Sequence, residues 1–230
     1  NINTWLNPPF TLNKIALANY LFRSLILKKT SGIIVQEELF KDYIIYKKLY
    51  KKKLYALPHT LREKKYSYPE NKKLVVAIPG GIDGHRRDYD FCLSVIEKTN
   101  ELKIDIEYKF LGEVIGKLGH EIYNKILDLQ QKGIDVQQIY SNDTNELFDN
   151  EMSACSIVFL PLNVNTKYEG ITEIYGKTKV TGVLYDMMRF QKPGLVPDEL
   201  IIPPTMLNSV IKYKNQEDLI NILSELASET

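Results

Sequence analysis

KLVVAIPGGIDGHRR, residues 73–87, is the stretch on which the fold turns. After Lys73 its run to Pro79 is apolar and rich in β-branched residues, which suits a strand buried on both faces. Pro79-Gly80-Gly81 stops that strand. A regular alternation runs from it to the C-terminus. Phe91, Cys92, Val95, Ile96 and Thr99 fall on one helical face, and IDIEYKFLG (104–112) reads as a strand. A helix with Ile122, Tyr123, Ile126 and Leu127 on one side ends at Gly133. Then come a strand IDVQQIY (134–140), a short helix around 146–154, and SIVFLPL (156–162), the most apolar strand candidate. After a loop, Val180, Val183, Leu184, Met187 and Met188 form an amphipathic stripe. Pro193 ends that helix. PGLVP (193–197) and SVIKYK (209–214) are further strands, and a last helix carries Leu219, Ile222, Leu223 and Leu226. Strands and helices alternating in this way predict βαβ units: an α/β chain with a Rossmann-like parallel sheet and flanking helices. Such sheets bind ligands beyond the carboxyl ends of their strands, which points to the loops 79–90, 112–120, 140–146 and 162–182.

Residues 1–72 read as a partial α/β segment. A helical stretch (about 12–29) precedes a strand GIIVQ (32–36), a Lys/Tyr-rich helix (37–52) and KLYALP (53–58), with a polar linker at 65–73. The expected division is therefore 1–72 and 73–230. The chain begins at Asn1 without an initiator Met, so a processed protein or a piece of a longer one is expected. KDYIIYKKLYKKK (41–53) is basic with interleaved tyrosines. Such a helix can lie against an anionic membrane; the plainer reading is a solvated face with its tyrosines packed inward.

Hydrophobic residues make up 44% and charged residues 26%, so a folded core is expected rather than disorder. The net charge of +1 argues against a nucleic-acid partner. Cys92 and Cys155 lie far apart in apolar stretches and suit buried thiols in a reducing compartment. No apolar run approaches the roughly 20 residues that span a bilayer. A cytoplasmic protein is expected, at most peripheral to the inner face of the membrane.

Two stretches can hold phosphate. In the first, Gly80, Gly81 and Gly84 allow close backbone approach, and Arg86 and Arg87 can grip phosphate bidentately. The G-G-x-x-G spacing is neither a dinucleotide fingerprint nor a Walker motif. In the second, Tyr175 to Gly182 runs into the amphipathic helix, whose N-terminus favours anions. Lys177 and Lys179 add charge, Thr181 a hydroxyl, and Gly182 a small residue. Asp186, one turn on, suits a ribose diol. The bland alternatives are a flexible turn with surface arginines and a capped helix beside a solvated basic loop. Glu169 and Glu173 read as loop acids. His59, His85 and His120 show no ligand spacing, and no catalytic triad or metal constellation emerges.

These residues resemble the GT-B glycosyltransferases, particularly the group that includes the family 4 retaining enzymes. The resemblance runs from about Thr30 to Leu226. SGIIVQEELFKDYI and KKKLYALPHTL are similar to the end of that family's acceptor domain, with Pro58-His59-Thr60 near the inter-domain cleft. VVAIPGGIDGHRRDYDFCLSVI resembles the first strand, loop and helix of the donor domain. LFDNEMSACSIVFLPL matches a later helix and strand. YGKTKVTGVLYDMMRFQKPGL occupies the place of the donor-binding motif, with Lys192-Pro193 matching its ending. There are departures. Gly81 stands where the family has arginine, and Arg86 stands near its lysine. The two glutamates spaced by seven residues are absent, and Asp186 falls at the second, ribose-binding one. About 70 residues precede the donor-like domain, where a full first domain needs at least about 150.

The resemblance implies a glycosyltransferase, or a fragment of one, moving a sugar from a nucleotide-sugar donor to a glycan or lipid-linked acceptor. Gly80, Gly81, Arg86 and Lys179 would neutralise the leaving diphosphate, and Asp186 would hold the ribose. No metal or other cofactor is required on this reading, and no residue is assigned as catalytic base. The alternatives are a non-catalytic nucleotide-binding or scaffold module of degenerate GT-B fold and, more distantly, a nucleotide-sugar epimerase.

Overall fold

In a computed structural model of the chain, the described residues are 1–9, 13–57, 73–140 and 145–229. The Pro58-His59-Thr60 segment and the 65–72 linker lie outside them. The chain packs into two compact units, and both are discontinuous. One comprises Asn1–Leu61, Val164–Thr181 and Leu200–Leu207; the other comprises Arg62–Asn163, Gly182–Glu199 and Asn208–Thr230. This division by packing differs from the single boundary at residue 72 read from the sequence.

The first unit opens with α1 (Ile2–Leu6) and α2 (Lys14–Lys29). Asn13 caps α2, its side chain accepting from the N–H groups of Ile15 and Ala16. The two-stranded parallel sheet of β1 (Gly32–Val35) and β2 (Lys53–Ala56) is joined through α3 (Glu38–Tyr46). A small core of Val35, Phe40 and Ile44, with Leu6, Leu54 and Val180 against it, fills this unit. The helix expected over 37–52 is shorter: α3 stops at Tyr46 because Lys48 takes a left-handed conformation (φ 54°), so most of the basic run from Lys47 onward is not helical.

The second unit contains β3 (Leu74–Pro79), α4 (Tyr89–Glu101), β4 (Ile106–Leu111), α5 (Gly116–Gln131), β5 (Val136–Ile139), α6 (Asn145–Ala154) and β6 (Ile157–Phe159). The chain then leaves for a hairpin of the first unit, β7 (Asn165–Tyr168) and β8 (Ile171–Ile174), and returns for α7 (Gly182–Phe190), β9 (Gly194–Pro197), β10 (Val210–Tyr213) and α8 (Gln216–Ser228). All six strands of the second unit pair in parallel in the order β10-β9-β6-β3-β4-β5. They fall on the six strands expected from the sequence. Every residue of β3 is buried, which is why it reads as an unbroken apolar run. Val76, Ile78, Tyr108, Phe110 and Phe159 of the sheet pack with Cys92, Val95 and Ile96 of α4 and with Ile126 of α5 in one core.

The 162–182 segment, read as a loop, holds the β7–β8 hairpin instead. Its two-residue turn, Glu169-Gly170, has φ 50° and 78°, the paired left-handed conformation that suits the twist of a tight hairpin. The two glutamates read as loop acids fasten this hairpin to the N-terminal helices. Glu173 is fully buried and accepts from the backbone N–H and the hydroxyl of Thr4, both at 2.6 Å, at the start of α1. Glu169 accepts from Asn19 (2.7 Å) and Arg23 (2.6 Å) of α2. Truncation leaves the buried Thr4 N–H and hydroxyl without their acceptor, so Glu173→Ala is expected to lower the unfolding free energy by about 2–3 kcal/mol. Denaturant titration checks this.

Candidate functional site

The parallel sheet ends on a cavity of about 300 Å³ beyond the carboxyl ends of β3, β4 and β5. Gly80, Gly81 and Arg86 of the β3–α4 turn line one side. Leu111, Gly112, Glu113 and Ile115 after β4 line the next, and Ile139 and Tyr140 at the end of β5, with Leu147 and Phe148 of α6, close it. The place is the one that open α/β sheets use for ligands, and the size is at the lower end of small-molecule sites. Its walls are aliphatic with two aromatic rings, and its charged groups are one guanidinium and one carboxylate. That combination can stack a planar ring and hold an anion beside it.

The β3–α4 turn is built from its own side chains. Gly80 sits at φ 102°, which a side-chain-bearing residue rarely adopts, and a Cβ there would run into the Arg87 guanidinium. Arg87 is buried and points back into the turn, donating to the carbonyls of Pro79 and Gly81. The Tyr89 hydroxyl also donates to the Gly81 carbonyl, at 3.2 Å. Asp83 accepts from the N–H groups of His85 and Arg86 and pairs with Arg86 Nε at 2.5 Å. Burial pushes the Asp83 carboxyl up, but these N–H groups and the Arg86 charge outweigh it and hold it below the usual carboxylate range. The two arginines read as equivalent phosphate grips are thus different. Arg87 shapes the turn, and Arg86, nearly half exposed at its side chain (45%), faces the cavity.

Asp186 on α7 lies in the same unit. α7 starts at Gly182, which is exposed, and buries Val183, Leu184, Met187 and Phe190. Val180, expected in its apolar stripe, precedes the helix. Asp186 is half-buried, and its carboxyl is pushed up to about 6. Burial is the main cause, Asp149 adds to it, and Arg189 and Arg87 oppose it. Arg189 pairs with Asp149 at 2.5 Å, and Phe148 meets Phe190 edge-on at 6.0 Å, so α6 and α7 are tied together behind the cavity wall. Among the described residues, Arg87 Nε and Asp149 Oδ1 are buried without a hydrogen-bond partner. The expected Lys192 is buried and donates to the Ser153 carbonyl at 2.7 Å.

The structure therefore brings Gly80, Gly81 and Arg86 to one cavity, while Gly182 and Asp186 are not among the residues lining it. Lys177, Lys179 and Thr181 belong to the first unit. There Lys177 lies over the Tyr43 ring at 5.9 Å, Lys179 over the Tyr175 ring at 4.7 Å, and Thr181 is buried. Glu113, Ile115, Tyr140, Leu147 and Phe148 were missed as residues. The rule that ligands sit at strand carboxyl ends had pointed to the loops that hold most of them.

No protein-family model and no curated sequence matches the chain. Solved structures do. A mutant of TarM from S. aureus, described in complex with fondaparinux, alpha-GlcNAc-glycerol and UDP, superposes with a TM-score of 0.65 at 13% identity, over 96% of this chain and 42% of that one. The lipopolysaccharide outer core galactosyltransferase WaaB matches with a TM-score of 0.55 at 12% identity, over 95% of this chain and 72% of that one. Anabaena Alr3699/HepE, in complex with UDP and glucose, matches with a TM-score of 0.57 at 10% identity, over 93% of this chain and 57% of that one. The fold is that of the GT-B glycosyltransferases. The GT-B likeness reaches nearly the whole chain, including the partial α/β segment before β3, and the chain spans about two fifths of the length of the TarM structures. At these identities the GT-B likeness is one of fold.

Proposed function

We propose that the protein is a glycosyltransferase, or the donor-binding part of one, that takes a sugar from a nucleotide-sugar and passes it to a glycan or lipid-linked acceptor. The observation that carries this is the cavity at the carboxyl ends of β3, β4 and β5, where a glycine turn and Arg86 stand beside the Tyr140 and Phe148 rings. In this reading the base lies against the two rings, and the diphosphate lies along Gly80-Gly81, where it meets Arg86. Asp186, which is not among the residues lining the cavity, is assigned to the ribose hydroxyls by the family resemblance alone. Arg86 and the turn stabilise the leaving diphosphate as charge develops on it, which is electrostatic and positional catalysis. The neutralising charge comes from Arg86 rather than a divalent ion, so nucleotide binding is expected to survive EDTA.

The test is a thermal-shift screen of the 230-residue protein against UDP, GDP, ADP, CMP and their sugars. One diphosphate series should raise the melting temperature by roughly 5–10 °C at about a hundredfold excess over Kd. A flat response to all of them would overturn the proposal.

A further inference from the structure

The β3–α4 turn is anchored on both sides of Asp83. Before it, Ile82 is buried, its N–H donating to the Glu113 carbonyl at 2.7 Å and its carbonyl accepting from the Ile115 N–H at 2.8 Å. After it, Gly84 takes a left-handed conformation (φ 73°) and lies against α5, where a Cβ would stand 2.8 Å from the Cβ of Leu118. Further on, the Arg86 carbonyl accepts from the Asn163 N–H at 3.1 Å, just beyond β6. Asp83 thus stands on a fixed stretch of backbone, with its side chain only 16% exposed.

Its two carboxylate oxygens have different partners. Oδ1 accepts from the N–H groups of His85 and Arg86, which closes the turn, and Oδ2 accepts from Arg86 Nε. The guanidinium therefore has one edge occupied and one edge open. Its Nη2 lies beside Gly81, 3.5 Å from where a Cβ would be, and among the described residues neither Nη group has a hydrogen-bond partner. A long, partly exposed arginine ordinarily loses rotamer freedom when it grips an anion. Here Asp83 has removed that freedom beforehand. With Nε held, the paired Nη groups at the free end suit two oxygens of one phosphate.

We propose that Asp83 is a positioning residue of the diphosphate site, holding Arg86 so that its two Nη groups meet the phosphate oxygens beside Gly81. This role rests on the function proposed above, in which the diphosphate lies along Gly80-Gly81. Charge alone would act in the opposite direction. Asp83 places a negative charge near the anion, so if net charge set the affinity, removing that charge would tighten binding. Solvent and salt screen a charge at such an exposed place, whereas they do not supply the lost geometry of a two-point grip. The sign of the change therefore separates positioning from charge.

The test is calorimetric titration of the full chain with UDP, GDP and ADP, comparing the parent, Asp83→Asn, Arg86→Lys and the double variant. Asparagine can keep one oxygen on the two N–H groups, but its amide NH2 then meets the Nε–H donor to donor. Asp83→Asn should bind the diphosphate about three- to tenfold more weakly than the parent, with the melting curve of the unliganded protein close to the parent's. Arg86→Lys keeps the charge and lacks the Nε–H, so in that background the same substitution should cause no further loss. A parent that binds a diphosphate which Asp83→Asn binds as tightly or more tightly would overturn this inference alone. An equal loss in both backgrounds would also overturn it, because Asp83 would then only be holding the turn. A parent that binds none of the three would overturn it together with the function on which it rests.

Discussion

Asp186→Asn is expected to weaken nucleotide binding about 10- to 100-fold at neutral pH while leaving the protein more stable than its parent. The affinity loss is that of a carboxylate accepting from ribose hydroxyls, worth about 1.5–3 kcal/mol. The stability gain follows from burial. The folded-state pKa of about 6 lies above the ordinary aspartate value, so the native state prefers the neutral acid. That preference contributes stability fully below about pH 4 and is lost as the pH rises through about 6. Above that, the parent carries a charge in a half-buried site, and asparagine does not. The variant should therefore gain about 1–3 kcal/mol at about pH 7.5 and nothing at about pH 4. The parent's affinity should also fall as the pH drops below about 6, because the proton competes with the ribose, whereas the variant's should not. Calorimetric titration with the best nucleotide on either side of that pH, beside melting curves, checks both parts. A variant that binds as tightly as its parent would remove Asp186 from the site.

Gly80→Ala should damage fold and binding together. The new Cβ would occupy a left-handed backbone position at a cost of about 1–3 kcal/mol. It would also collide with the Arg87 guanidinium, whose withdrawal leaves the Pro79 and Gly81 carbonyls short of a donor, at about 1 kcal/mol or more each. Together that is about 3–5 kcal/mol, or roughly 10 °C in melting temperature for a chain of this size. The two losses share a cause, so Gly80→Ala/Arg87→Ala should be clearly less destabilising than the sum of the single variants. Strict additivity would mean that the guanidinium and the turn do not depend on each other. Loss of nucleotide binding at a temperature where the single variants are still folded would show that the turn's shape, and not only the fold, matters to the ligand.

The six strands of the second unit were legible because strands buried on both faces read as apolar runs bounded by Pro, Gly and charged residues. The hairpin at 165–174 was not. NTKYEGITEI alternates weakly, and its turn uses glutamate before glycine where asparagine or aspartate is the commoner signal. The end of α3 was hidden for a related reason, since it depends on a lysine in a left-handed conformation and nothing in a run of lysines marks which one. Within the site, the loops were found by topology, and Gly80, Gly81 and Arg86 by residue type. The task of Arg87 was not legible, because two adjacent arginines look alike until one is seen holding the turn. Which face of α2 packs inward was invisible for a different reason. Helical periodicity shows where the apolar arc lies but not which side of the helix the rest of the chain will cover.

The two glutamates of the β7–β8 hairpin bear on how the molecule is assembled in time. They join partners 146 to 169 residues apart in sequence, Arg23 and Asn19 to Glu169 and Thr4 to Glu173. Contacts of that span carry a high loop-closure cost, and chains dominated by them fold slowly. A ribosome delivers α1 and α2 well before this hairpin, so their carboxylate anchors emerge only after 146 to 169 further residues have been made. Until then α2 lacks its polar inner contacts to Glu169. These two helices are made long before they are locked.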